Sequence, residues 1–257
     1  MFNIPNLFTV ANMISGCTAI ILAFAGRIDL APFAIFAGAI FDFFDGFLAR
    51  KLNISGEMGK QLDSLADMIT FGLAPGVIML MFLLGVTTHN LGTHTLGNWV
   101  NDLVEGKFHN LVPLAALIIP FFSIFRLAKF NLDTRQTDSF IGLPTPANTL
   151  FFMSFPLVAS FSEGQSGEWE GLSVFMFHPI TICVAIVGMS LLLISEIPLF
   201  SLKFKFFGWK GNQIRYHFLL ISLVFILVFT TWALALIVFL YLVLSIVENY
   251  VFKSQKS

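Results

Sequence analysis

Eight apolar stretches divide the chain, at roughly residues 7–26, 30–49, 64–86, 111–130, 146–161, 175–195, 215–230 and 233–250. Most approach the ~20 residues that a helix needs to cross a bilayer core. The sequence therefore predicts an all-α, polytopic transmembrane helix bundle of about eight helices. It reads as one domain over residues 1–257, with a first group of helices over roughly 1–161 and additional C-terminal helices over roughly 175–250. Composition agrees: 57% of residues are hydrophobic and 11% charged, against a usual charged share of about 25% in soluble domains. A mean hydropathy of +0.86 cannot be hidden in a soluble core. The last two stretches come from one long run, divided at Thr230-Thr231-Trp232; one long tilted helix is the alternative. Met1-Phe2-Asn3-Ile4-Pro5-Asn6 has neither the basic region nor the cleavage site of a signal peptide, so the first stretch is expected to stay as a membrane helix.

Basic residues give an orientation. With the N-terminus in the cytoplasm, the inner side carries twelve of the 14 Lys and Arg, from Arg50, Lys51 and Lys60 through Arg126, Lys129 and Arg135 to Lys203, Lys205, Lys210, Arg215, Lys253 and Lys256. Only Arg27 and Lys107 fall outside, as the positive-inside rule requires. The two outer loops look bland. His89, His94 and His109 sit in residues 87–110 without metal-ligand spacing, and Glu163, Glu168 and Glu170 make 162–171 a solvated acidic loop. His178 reads as structural at a helix start, and His217 as interfacial. Cys17 and Cys183 read as small buried residues, and a net charge of −1 argues against nucleic acid.

The chemistry concentrates in one window. Asp42 and Asp45 are three apart near the end of the second stretch, and Asp63 and Asp67 are four apart at the start of the third. In helices each pair shares a face, and a short loop makes the two helices antiparallel neighbours whose ends bring all four acids together. Unpaired intramembrane carboxylates are costly, and Arg50, Lys51 and Lys60 offer too little positive charge on those faces. Oxygen-only ligands suit a hard divalent cation, Mg²⁺ or Mn²⁺, and two such ions sharing carboxylates would clamp a phosphate diester. Gly46, Ala49 and Gly59 recur at helical spacing beside the acids and clear room for something bulky or for close helix approach. Arg50 is one turn beyond Gly46, where a guanidinium can fork onto phosphate. Together these residues describe a nucleotide-diphosphate site.

The pattern D-x-x-D-G-x-x-A-R, eight residues, then G-x-x-x-D-x-x-x-D resembles the signature of the CDP-alcohol phosphatidyltransferases. Every position is filled, by Asp42, Asp45, Gly46, Ala49, Arg50, Gly59, Asp63 and Asp67. The resemblance implies that Asp42 and Asp63 bridge two metal ions, with Asp45 completing the first and Asp67 the second. It further implies that Asp67 is the general base and that Gly46 and Arg50 contact the CDP-lipid. Pro5-Asn6-Leu7-Phe8-Thr9 is similar to the family's N-terminal segment, in which Asn6 and Thr9 approach the cytidine. Where relatives often carry Thr-Ser before the second glycine, this chain has Ser55-Gly56, so a hydroxyl contact to the lipid phosphate either moves to Ser55 or is lost.

Three further stretches resemble the serine-using members: Leu62–Asp67 continuing to Phe71-Gly72-Leu73-Ala74-Pro75, Phe125–Asn131, and Gly142-Leu143-Pro144-Thr145-Pro146-Ala147. The resemblance then implies that CDP-diacylglycerol and L-serine are the substrates, with phosphatidylserine and CMP as products. Arg126 is the candidate for the serine carboxylate, with Asn131 and Arg135 following it; the plain alternative for Arg126 is an anchor that snorkels to the interface. A homodimer is common in the family. The implied setting is a bacterial cytoplasmic membrane, with both termini and the active site on the cytoplasmic side. Glycerol 3-phosphate or inositol phosphate as acceptor is the rival within the family, and a cation transporter the rival outside it.

Overall fold

The computed structural model describes residues 3–54, 56–89, 93–108, 110–133, 139–161, 174–200, 208–209 and 212–249. Helix α1 (Ile4–Phe24) starts where the Asn3 side chain accepts a hydrogen bond from the Asn6 amide at 3.0 Å, with Pro5 in the first turn. Helix α2 (Ala31–Lys51) also opens on a proline and ends with Arg50 and Lys51, cations at the negative end of its dipole. Helix α3 (Glu57–Thr88) is the axis of the bundle. Of its most apolar window 78% is buried, against 22–28% for the other long apolar helices. Helix α1 packs along α2 and against the first turns of α3, so α1 is the main bridge between the two acid-bearing helices.

Halfway along α3, residues Met68–Leu73 widen into a π-helical turn directly after Asp67. Such turns free backbone groups from the regular ladder and need outside partners. The Thr149 hydroxyl donates to the Phe71 carbonyl at 2.9 Å, and the Thr70 hydroxyl donates to the Asn12 carbonyl of α1 at 2.9 Å. Gly16 and Gly38 let α1 and α2 close on this turn, because a Cβ at either would come within 2.8 Å of Thr70.

Helix α4 (Thr93–Val104) is followed by α5 (Val112–Leu132), whose first turn is 3₁₀. Strand β1 (Ser139–Ile141), helix α6 (Thr145–Phe161), helix α7 (Pro179–Ile194) and strand β2 (Pro198–Phe200) follow, and β1 pairs antiparallel with β2. Gly142, at φ +78°, turns the chain into α6; a Cβ there would sit 2.6 Å from the Leu193 carbonyl. The turn is thereby tied to the end of α7, with the Leu143 amide donating to the Leu192 carbonyl at 2.9 Å. Helices α8 (Gln213–Phe229) and α9 (Ala233–Val247) close the fold, and the Tyr241 hydroxyl donates to the Phe200 carbonyl at 2.9 Å.

All eight apolar stretches are helical, and the all-α polytopic membrane fold stands apart from two three-residue strands. The last run is two helices: Thr230–Trp232 forms a single 3₁₀ turn, and the Phe218 and Tyr241 rings meet at 6.0 Å across an antiparallel pair. Among the described residues, five helical runs are long and apolar enough to cross a membrane: Ile4–Phe24, Ala31–Lys51, Glu57–Thr88, Val112–Leu132 and the paired helices of Gln213–Val247. Three expectations need correcting. The third helix starts at Glu57, a full two turns before the apolar stretch. Residues 87–110 are not a bland loop, since they hold α4, whose Trp99 is buried and donates to the Asn110 carbonyl at 2.8 Å. Cys17 is exposed on α1 and Cys183 half-buried, where both were expected to be buried. His178 does cap a helix, its Nδ1 accepting from the Ile180 amide. His109, the acidic loop at 162–171, and Lys203, Lys205, Lys210, Lys253 and Lys256 lie outside the described residues.

Candidate active site

Three of the four acids converge. Carboxylate oxygens of Asp42, Asp63 and Asp67 all lie within 4.8 Å of one another. Asp63 Oδ1 is buried with no hydrogen-bond partner among the described residues. Carboxylates crowded in this way repel, and leaving them without a counter-charge is strongly destabilising. Oxygen donors, close spacing and an orphaned oxygen fit a hard divalent cation. Asp45 lies beside the trio and lines the same cavity as Asp63. Its Oδ2 accepts from the Thr9 hydroxyl at 2.7 Å, drawing it toward α1.

Helix α1 supplies what the sequence reading missed. Asn12, fully buried, donates from Nδ2 to Asp67 Oδ1 at 3.0 Å and so fixes the direction of that carboxylate. A signal existed, since Thr9 and Asn12 are polar residues three apart on an otherwise apolar helix, hence on one face. Thr9, expected at the cytidine, donates its hydroxyl to Asp45.

Beside the acids lies a cavity of about 190 Å³ bounded by α1, the end of α2 and the start of α3. Asn6 and Thr9 line it from α1; Asp45, Gly46, Ala49 and Arg50 from α2; Gly59 and Asp63 from α3. Eight of the expected site residues thus border one space. Gly46 faces the cavity, and a Cβ there would meet only the Arg50 guanidinium, at 3.4 Å, an ordinary contact. Gly46→Ala is expected to place a methyl group in the cavity beside Arg50 and raise KM for a diphosphate substrate about tenfold, with little change in melting temperature. Steady-state kinetics beside a thermal melt checks this. Gly59 is different, because its Cβ would meet nothing closer than Asn6 Oδ1 at 4.0 Å. Its space belongs to the cavity.

The other candidates lie deeper or to one side. Arg126 does not snorkel; it is 3% exposed, donates from Nε to the Leu143 carbonyl at 3.0 Å, and lies over the Phe130 ring. Asn131 donates to the Ser64 hydroxyl at 2.8 Å, which ties the end of α5 to the residue after Asp63. Ser55 and Arg135 lie outside the described residues.

Comparison with known proteins gives this geometry a family. Residues 2–247 match the sequence profile of the CDP-alcohol phosphatidyltransferases. The chain is 32% identical over 194 residues to the CDP-diacylglycerol–serine O-phosphatidyltransferase of Bacillus subtilis, covering 76% of this chain and 88% of that protein. It is 29% identical over 228 residues to the enzyme of the same name from Helicobacter pylori, covering 88% and 83%. It is also 30% identical over 163 residues to the archaetidylserine synthase of Methanothermobacter thermautotrophicus, covering 62% and 60%. The protein is an enzyme of the membrane and belongs to the CDP-alcohol phosphatidyltransferase family.

Proposed function

We propose that the protein transfers the phosphatidyl group of CDP-diacylglycerol to L-serine, releasing CMP and forming phosphatidylserine. The observation that carries the reaction class is the convergence of Asp42, Asp63 and Asp67 beside a cavity lined by Arg50 and Gly46. The choice of serine is supported by the names of the relatives. Asp42, Asp63 and Asp67, with Asp45 beside them, would hold Mg²⁺ or Mn²⁺, in this reading two ions. Bound there, the metal supplies positive charge to the diphosphate and to the departing CMP.

The protein's own residues do the rest. Arg50 binds the diphosphate, and Asn6 and Thr9 border the nucleoside end while Thr9 keeps Asp45 in place. Ala49 and Gly59 leave the space in which the lipid phosphate sits. The serine hydroxyl attacks the phosphorus that carries diacylglycerol, the bond to the CMP oxygen breaks, and Asp67 takes the hydroxyl proton. Asn12 holds Asp67 so that its free oxygen faces the reacting groups. Arg126 takes the serine carboxylate; Asn131 and Arg135 belong to the same side of the site. The orientation follows the basic residues, with both termini and the site in the cytoplasm of a bacterial cell. A homodimer is part of the same reading.

The test uses protein purified in detergent with CDP-diacylglycerol, Mn²⁺ or Mg²⁺, and a panel of acceptor alcohols. CMP release with serine, and phosphatidylserine as the lipid product, is the expected result. Turnover with glycerol 3-phosphate or inositol phosphate alone overturns the serine assignment and keeps the family. No CMP with any acceptor, in folded protein, overturns both.

A further inference from the structure

Asn148, in the first turn of α6, is fully buried, and neither Nδ2 nor Oδ1 has a hydrogen-bond partner among the described residues. Buried amides are nearly always satisfied, so one with both ends open calls for an explanation. Its position suggests one. Thr149 meets the carbonyl of Phe71, which is one turn beyond Asp67, so the start of α6 lies within roughly 5 Å of Asp67 along the bundle axis. Helix α5 reaches the same level from the other side. Ser64 meets Asn131 and Gly72 lies against Ser123, so α5 runs antiparallel to α3 and Arg126 faces the turn that follows Asp67. Arg126 also bonds Leu143, the residue that leads into α6. A buried guanidinium and an open carboxamide thus flank the chain segment that enters α6, in the layer of the catalytic acids. The other orphaned polar atoms of this layer are Asn12 Oδ1 and Asp63 Oδ1.

We infer that Asn148 is an acceptor-recognition residue, whose Oδ1 accepts from the ammonium group of an amino-acid acceptor while Nδ2 donates to its carboxylate. This rests on the proposed serine reading. Arg126 supplies charge but no acceptor atom, so an ammonium group needs a partner that Arg126 cannot be. A carboxamide provides both a donor and an acceptor in one plane. An alcohol without the ammonium group leaves Oδ1 unpaired in a dry site, which discriminates against it. Asn148 has no exposed surface, so side chains between it and Asp67 part when the acceptor enters.

The test is Asn148→Leu, which keeps the branched heavy-atom skeleton and removes both orphaned polar atoms. A residue that only packs gains from this change, because an apolar isostere relieves the unpaired amide. Under the inference the melting temperature holds or rises, KM for serine increases about tenfold or more, and KM for CDP-diacylglycerol stays as in the parent protein. Asn148→Ser, smaller and still polar, is the second variant should the leucine protein not fold. An unchanged serine KM in a folded variant overturns the inference, and so does failure of both variants to fold, which assigns the amide to packing. The parent protein is assayed first with the acceptor panel. If it uses another alcohol, the serine reading fails on its own, and the variants' KM for that alcohol then decides the role of Asn148.

Discussion

Asp67→Asn abolishes CMP release, a loss of about a thousandfold or more, and at the same time raises the melting temperature of the protein in chelator. Both effects follow from the geometry. Three carboxylates with oxygens within 4.8 Å repel one another when no cation lies between them, and removing one charge relieves that repulsion. Asn12 sharpens the outcome. Its Nδ2 donates to Asp67 Oδ1, so the amide introduced by Asp67→Asn keeps its oxygen toward Asn12 and turns its NH₂ toward the acids. An NH₂ group is no ligand for a hard cation. Mn²⁺ or Mg²⁺ should therefore raise the melting temperature of the parent protein, by the equivalent of about 2.7 kcal/mol at a hundredfold excess over Kd, and should do far less for the variant. Thermal melts in metal and in chelator, run beside the CMP assay, read out both halves. Equal metal-induced shifts in parent and variant would sink the assignment of Asp67 as a ligand.

The acids were legible because their message is local. Asp42, Asp45, Asp63 and Asp67 fall at helical spacing next to small residues and an arginine, and spacing along one helix is what a sequence displays directly. The partners that aim them were not legible. Asn12 and Thr9 act from a third helix, 55 and 36 residues away from the acids they bond, and no periodicity links them. The Thr9 hydroxyl on Asp45 was hidden for the same reason, since it comes from α1. Arg126 shows the limit from another side. A basic residue at a helix end reads as a ligand for the acceptor or as an anchor in the interface, and its burial depends on the turn at Gly142 and Leu143, folded back onto α7. Helix α4 was a different kind of miss. Its Gly, Asn and Thr content spoke for a loop, yet Leu96, Trp99 and Leu103 recur at helical spacing and carry its inner face. The break at Thr230 was readable from the length of the run and the polar pair within it.

Gly16→Ala and Gly38→Ala should each lower the melting temperature and CMP release together, but only the second should be rescued by Thr70→Ser. Both glycines face the π-helical turn that follows Asp67. A Cβ at Gly38 meets the Thr70 Cγ2 methyl at 2.7 Å, while its next neighbour, Asn12 Oδ1, is at 3.1 Å. Serine lacks that methyl and keeps the hydroxyl that donates to the Asn12 carbonyl, so the double variant regains room without losing the bond. A Cβ at Gly16 meets Thr70 Oγ1 at 2.6 Å and the Thr70 backbone at 2.8 Å. Backbone cannot be trimmed, so α1 itself must move away from α3. Overpacking of this kind costs about 1–3 kcal/mol. The displacement also acts on chemistry, because Asn12 is four residues before Gly16 on α1 and holds Asp67. Melting curves and CMP release for the two single variants and their Thr70→Ser doubles decide the matter. Equal rescue of both would show that the Thr70 side chain, rather than the close approach of α1 to the α3 backbone, sets the position of Asp67.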